Sequence, residues 1–316
     1  MTTAAATAAK TSPRRRVLIG DFDARRHSTA YLTGASNPLW DSGLAWDLNM
    51  GLLTTPATNY VAQLCRYPFW AADNGAYHQG AFWYQFDHAA WWAWLTKVVA
   101  SITEPTMAQA IYATAPDAID VCDHTCPMAV NPTHKKRSQV CGVHVTSYPA
   151  TTIEWAKQWL PRITELGLPA AMVMQDGMED MLDEIPWDLF DVAFIGGSDA
   201  FKLGEAGRIV IAEAQRQGKR VHVGRVNSSK RLAYVSSLGV DTADGTFLGK
   251  GPAKNLPRLM DWEDIHHTPG AGQVCGHCSH WVADRRKDAP KGAKRRIQVR
   301  HASAADVRRW HAQKAA

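Results

Sequence analysis

The feature that most constrains this chain is an alternation repeated along its length: a short apolar run that stops at a polar residue or a glycine, then a stretch with helical spacing. Ala170-Ala171-Met172-Val173-Met174 stops at Gln175, and Val192-Ala193-Phe194-Ile195 stops at Gly196-Gly197. Arg220-Val221-His222-Val223 stops at Gly224, and Val240-Asp241-Thr242-Ala243 stops at Asp244. Between them, residues 151–166, 201–217 and 228–238 carry apolar side chains at helical intervals. Strands buried on both faces read as near-continuous apolar runs, and parallel strands need helical crossovers. Strand and helix alternate with short links, so the expected fold is a TIM-type (β/α)8 barrel, in which side chains at the C-terminal strand ends face the site of chemistry.

The first half shows the same pattern less regularly. Val17-Leu18-Ile19-Gly20-Asp21 reads as a first strand, Phe69-Trp70-Ala71-Ala72-Asp73 as a second and Ala118-Ile119-Asp120-Val121-Cys122-Asp123 as a third, each closing on an acid. Residues 33–68, rich in Gly, Pro, Asn and Thr, read as a long loop, and residues 124–148 as a basic insertion at the barrel mouth. Cys122, His124 and Cys126 in that insertion read as loop residues rather than metal ligands. Residues 86–100 have the spacing of a helix packed on the sheet, which makes Trp91, Trp92 and Trp94 core residues.

With 316 residues and 46% hydrophobic content, the chain can bury one barrel-sized core. It contains no apolar run long enough to span a bilayer and no signal segment, from which a soluble, cytoplasmic protein is expected. The expected division is a disordered tail over residues 1–16, a catalytic barrel over 17–262 and a small zinc-binding basic appendage over 263–316. The net charge of +5 is uneven: the residues from Trp281 onward carry +8, which leaves −3 for the rest. A basic tail on a mildly acidic body suggests a nucleic-acid partner. In a reducing compartment the close pair Cys275 and Cys278 reads as part of a metal site.

Taken in order, these stretches resemble the guanine transglycosylase superfamily, whose archetypes are the tRNA-guanine transglycosylases. The family's Asp-Ser-Gly-Gly-aromatic motif is similar to Asp73-Asn74-Gly75-Ala76-Tyr77, and its Phe-Asp-Glu-Cys to Cys122-Asp123-His124-Thr125. Its Gln-Gly-Gly turn resembles Gln175-Asp176-Gly177, its Ile-Gly-Gly is intact at Ile195-Gly196-Gly197, and its nucleophile motif resembles Gly239-Val240-Asp241-Thr242-Ala243-Asp244. The resemblance implies that Asp244 is the nucleophile attacking C1′ of a nucleotide and Asp73 the general acid/base. It makes Asp123, Gln175, Gly196 and Gly197 the base-reading set and Tyr77 the ring that stacks on the base, with Val223 and Gly224 closing the opposite face. The chemistry asks for these types. Breaking an N-glycosidic bond builds positive charge on the sugar, which one carboxylate can trap while a second acid protonates the departing purine. A guanine edge offers N1–H and N2 donors and an O6 acceptor, to be met by Asp123 and by Gln175 with a glycine N–H. The base has to leave its stack to be reached. Asp176 and Asp241 are rival carboxylates, although strand periodicity sets Asp241 and Asp244 on opposite faces.

Two departures matter. Family members bind a structural zinc through Cys-x-Cys-x-x-Cys and a distant His; here Gln273 replaces the first Cys, leaving Cys275, Cys278 and His301, with a fourth ligand to come from His266, His267, His277 or His280. The tRNA enzymes also carry Pro-Thr-Arg after the nucleophile, where this chain reads Gly245-Thr246-Phe247-Leu248-Gly249-Lys250. The chain therefore looks more like the compact branch of phages and mobile elements that exchanges guanine in DNA for a 7-deazaguanine such as the 7-cyano form, shielding the DNA from restriction. The expected partners are DNA, or tRNA as the alternative, and the free base, with helper proteins or a homodimer possible. A non-catalytic nucleic-acid-binding barrel is the third reading, and retention of both Asp73 and Asp244 argues against it.

Overall fold

The computed structural model describes residues 29–35, 39, 45, 50–79, 83–121 and 145–266. Within it, eight parallel strands close into a barrel: β1 (Ala30–Thr33), β2 (Met50–Thr54), β3 (Trp70–Ala72), β4 (Ala110–Thr114), β7 (Ala170–Met174), β8 (Val192–Ile195), β9 (Arg220–Val223) and β10 (Thr242–Asp244). The remaining pair, β5 (Ile119–Val121) and β6 (Val145–Ser147), forms a separate antiparallel ribbon between β4 and β7. Each barrel strand pairs with the next in the chain, and β1 closes the circle on β10 from Ala30↔Thr242 to Leu32↔Asp244.

Alternation along the strands sorts side chains into two cores. Ala171 and Val173 of β7 fill the barrel with Leu32, Phe69, Ala71, Tyr112, Val192 and Phe194, while Ala170, Met172 and Met174 face the surrounding helices. Those helices are α1 (His88–Ser101), α2 (Pro149–Glu165), α3 (Asp199–Leu203), α4 (Glu205–Arg216), α5 (Ser229–Ser237) and α6 (Pro252–His266). Their starts are set locally: the Asp87 carboxylate accepts the Ala90 N–H at the head of α1, Pro149 occupies the first turn of α2, and Ser228 caps α5. Trp91 is buried, as expected of a core residue, and Trp92 and Trp94 pack partly buried against the same core.

The barrel agrees with the alternation, but its first half is assembled differently from the sequence reading. Residues 17–21 lie outside the described residues, and the first described strand is Ala30–Thr33. The stretch read as a loop contains β2, and the third barrel strand in the sequence, read at 118–123, is the ribbon strand β5; the barrel strand is β4, Ala110–Thr114. In Ala-Ile-Tyr-Ala-Thr and Met-Gly-Leu-Leu-Thr the small residues, Ala110, Ala113 and Gly51, answer to neighbours distant in sequence. A β-carbon on Gly51 would stand 2.1 Å from the Phe69 ring. The single helix expected over 201–217 is two, α3 and α4, broken where Gly204 takes an extended backbone with ψ near −170°. The boundary placed at residue 262 falls inside α6, and the appendage from residue 267 onward is outside the described residues.

Candidate active site

Asp244 ends β10, buried at the C-terminal rim with only 7% exposure, and both its oxygens have donors. The His222 imidazole meets Oδ2 through Nε2 at 2.9 Å, and the Arg225 backbone N–H reaches Oδ1 at 3.2 Å. The strand register causes this arrangement. Thr242 and Asp244, two apart, share the inward face, and His222 is the direct partner of Thr242 on β9, so one ring spans both side chains. Nδ1 lies 2.8 Å from Thr242 Oγ1. A carboxylate only accepts, so Nε2 is the donor to Asp244, and the tautomer with its proton there accepts the Thr242 hydroxyl at Nδ1. The ring is fully buried between Phe194, 4.5 Å away, and Tyr112, 5.1 Å away, which leaves it no other seat.

Asp73 stands one residue beyond β3, its N–H bonded to the Thr54 carbonyl at 2.8 Å. The turn that follows builds part of the site. Asn74 is buried and fully used: Nδ2 donates to the Ala115 carbonyl at 2.7 Å and to Asp117 Oδ1 at 2.8 Å, and Oδ1 accepts the Ala76 N–H. Gly75 turns the chain with φ +75°. Burial, then the Asp244 charge, then the Asp117 charge push the Asp73 carboxyl up to about 7. Burial likewise raises Asp117 to about 6, partly offset by its bond from Asn74. The Tyr112 hydroxyl, fully buried with no hydrogen-bond partner among the described residues, is pushed well above its ordinary value by burial and then by the charges of Asp244 and Asp73. Three carboxyls and a phenol thus feel one another at one end of the barrel, and one carboxyl is poised to hold a proton near neutrality.

Other expected residues fare unevenly. Gln175 is completely buried, but its Nε2 is spent on the Ala118 carbonyl and Thr152 Oγ1, leaving Oε1 without a partner among the described residues. The side chain thus offers an acceptor where a donor to O6 was expected. Gly196 gives its N–H to the Met174 carbonyl, so that amide closes the barrel rather than waiting for a ligand. Gly197, with φ +68°, turns the chain so tightly over Asp176 that a β-carbon there would stand 2.4 Å from Oδ2. Asp176 accepts from Ser198 N–H and Oγ at 2.8 and 2.5 Å and from Ser147 Oγ at 3.2 Å, bonds that tie it to the turn after β8 and to β6. Asp241 binds the Val221 N–H at the far end of β10 and is no rival to Asp244. Val223 belongs to the helix-facing core and does not line the mouth, because the inward residue of that strand is His222. Gly224 does lie beside Asp244: a β-carbon there would meet Phe194 at 3.0 Å and Asp244 Oδ2 at 3.4 Å. Tyr77 lies beneath the Arg225 guanidinium, 4.7 Å from the ring centre.

Asp123, Cys275, Cys278 and His301 are outside the described residues. Among the described residues no group of three or more His, Cys, Asp or Glu side chains forms a metal site. The carboxylate that β4 brings to the mouth is Asp117, which the sequence reading missed together with His222, Arg225 and Lys202. Lys202 is buried on α3, its Nζ 3.0 Å from the Gly224 carbonyl and 3.3 Å from Asp199, and burial, then the Arg225 charge, lower it to about 8. A polar residue at an inward position of an apolar strand was the available signal for His222.

No family model matches the chain, and no curated protein does. Solved structures give weak likenesses. The tryptophan synthase A-subunit from Pyrococcus furiosus is 12% identical, with a TM-score of 0.42, over 76% of this chain and 97% of that one. A candidate lyase/mutase from Burkholderia cenocepacia J2315 is 15% identical, with a TM-score of 0.37, over 84% and 93%. No activity carries over from likenesses of this size.

Proposed function

We propose that the protein is a transglycosylase that exchanges guanine in DNA for a 7-deazaguanine base, through a covalent intermediate on Asp244. The observation that supports this best is the pairing at the rim: a carboxyl raised to about 7 at Asp73, with the Asp244 charge among the causes of that rise, and an Asp244 whose two oxygens are both held by donors. One group supplies a proton while the other supplies an oriented oxygen.

In the proposed reaction, an Asp244 oxygen bonds to C1′ of the flipped nucleotide as the C1′–N9 bond breaks. The electron pair leaves with the purine, and the Asp73 proton neutralises it. The incoming base then returns its N9 proton to the Asp73 carboxylate as N9 bonds to C1′, and the ester to Asp244 opens. His222 and the Arg225 N–H keep the carboxylate pointed so that one oxygen can attack while the other remains hydrogen-bonded. Asp117 and the Gln175 Oε1 are acceptors, suited to the N1–H and N2 donors of a guanine edge. DNA is preferred to tRNA because Pro-Thr-Arg is missing after the nucleophile.

The test is a quench experiment. Single-stranded DNA mixed with the protein without an incoming base should leave a denaturant-stable protein–DNA species that Asp244→Asn abolishes. The same species with tRNA alone would reassign the substrate, and none with either would sink the covalent mechanism.

A further inference from the structure

Arg225 occupies an unusual position. It follows β9, and in the order of the closed barrel β9 lies diametrically opposite β3, after which the short helix Ala76–Gln79 carries Tyr77. Yet the Arg225 guanidinium lies over the Tyr77 ring, 4.7 Å from its centre, and donates through one terminal nitrogen to the Gly197 carbonyl at 2.5 Å. The side chain therefore crosses the mouth of the barrel. Its charge is felt by Asp117 on one side and by Lys202 on the other. The backbone there is left-handed, φ +59°, a region that residues other than glycine rarely take, and in that conformation the N–H reaches Asp244.

We propose that the Arg225 side chain is a resident stand-in for the substrate base, filling the pocket until a base displaces it. The inference rests on the base-exchange reading above. Its chemical ground is that guanine contains a guanidine unit, N1–C2(–NH2)–N3, which 7-deazaguanine keeps. Arg225 presents the same unit: planar, face-on to an aromatic ring, with in-plane N–H groups directed at a rim acceptor. A base entering the pocket takes over the Tyr77 face and the neighbouring acceptors, and the displaced guanidinium swings to the rim, where a nucleotide phosphate can receive it. Hypoxanthine lacks the 2-amine and competes poorly.

Calorimetric titration of the full chain with guanine and with hypoxanthine tests this in wild type, Arg225→Ala and Arg225→Lys. Both variants should bind guanine about tenfold tighter than wild type, since neither carries a planar guanidinium to displace, and wild type should prefer guanine to hypoxanthine. Equal or weaker guanine binding by both variants, with melting curves like wild type, would overturn the stand-in and leave base exchange standing. Absence of guanine binding by all three proteins would instead overturn base exchange, and the stand-in with it. A crystal structure of the wild type with guanine gives an independent check: Arg225 should have left the Tyr77 ring, and a guanidinium still seated there beside the bound base would contradict the proposal.

Discussion

A buried imidazole that bridges a threonine and a carboxylate has little freedom, and His222 uses both ring nitrogens on residues of β10. Its removal leaves Asp244 with the Arg225 N–H and opens space beneath that carboxylate. We expect His222→Ala to cost roughly 1–3 kcal/mol of stability for each of the two buried atoms that lose their partner, Thr242 Oγ1 and Asp244 Oδ2, and to slow exchange on the order of 100-fold through misplacement of the attacking oxygen. His222→Gln, which can return a donor to the same place, should recover part of the rate; equal rates in the two variants would show that the bond does not orient Asp244. At Asp73 the expectation concerns pH. In the proposed mechanism the acid form protonates the leaving base, so exchange should decline as pH rises through about 7, where Asp73 loses its proton. Asp73→Asn should lower the rate by about 10²–10⁴-fold and remove that alkaline limb.

At the scale of elements, the segments that follow the strands hold the site together. Gly245, directly after Asp244, is packed so tightly that a β-carbon would stand 2.0 Å from the Tyr31 hydroxyl and 2.6 Å from Asn227 Oδ1. Tyr31 in turn donates to the Val226 carbonyl, which ties β1 to the loop after β9. Gly245→Ala should therefore cost roughly 1–3 kcal/mol and lower the melting temperature by several degrees, whereas a melt like wild type would mean that the turn yields easily. The strands that deliver Asp244, Gln175 and Gly196 were legible in the sequence because an apolar run and its terminating residue are adjacent in the chain. β2 and β4 were not, since Gly51 answers to the Phe69 ring and the alanines of β4 to neighbouring strands. His222 stood out as a polar residue in an apolar strand, but its role was not readable, because that comes from facing Thr242 across a strand pair. Asp117 is tied to the site by Asn74, forty-three residues away in sequence.

For the whole molecule, the alternation of strands and helices was enough to foresee a closed parallel barrel, because few topologies cover both faces of such strands. The charges gathered at its mouth bear on stability. Asp73 and Asp117 have folded values raised to about 7 and about 6 from 3.8, so between about pH 4 and 7 the folded state holds protons that the unfolded chain has released. Stability should accordingly fall as pH rises through that window and level off above it, as urea melts at pH 4.5, 6 and 7.5 would show, and Asp73→Asn should flatten the slope. A rise in stability over the same range would contradict the burial of these carboxyls. The zinc expected of Cys275, Cys278 and His301 is open to elemental analysis: about one equivalent in the full chain, lost in a Cys275→Ser, Cys278→Ser double variant.

We propose that Asp244 and Asp73 act together to exchange a base in DNA. Incorporation of radiolabelled guanine into DNA, with tRNA in parallel, by wild type, Asp244→Ala and Asp73→Ala puts this to the test. Label should appear in DNA with wild type and not rise above background with either variant. Label that persists in the Asp244→Ala reaction, or its absence from both nucleic acids with wild type, would contradict it.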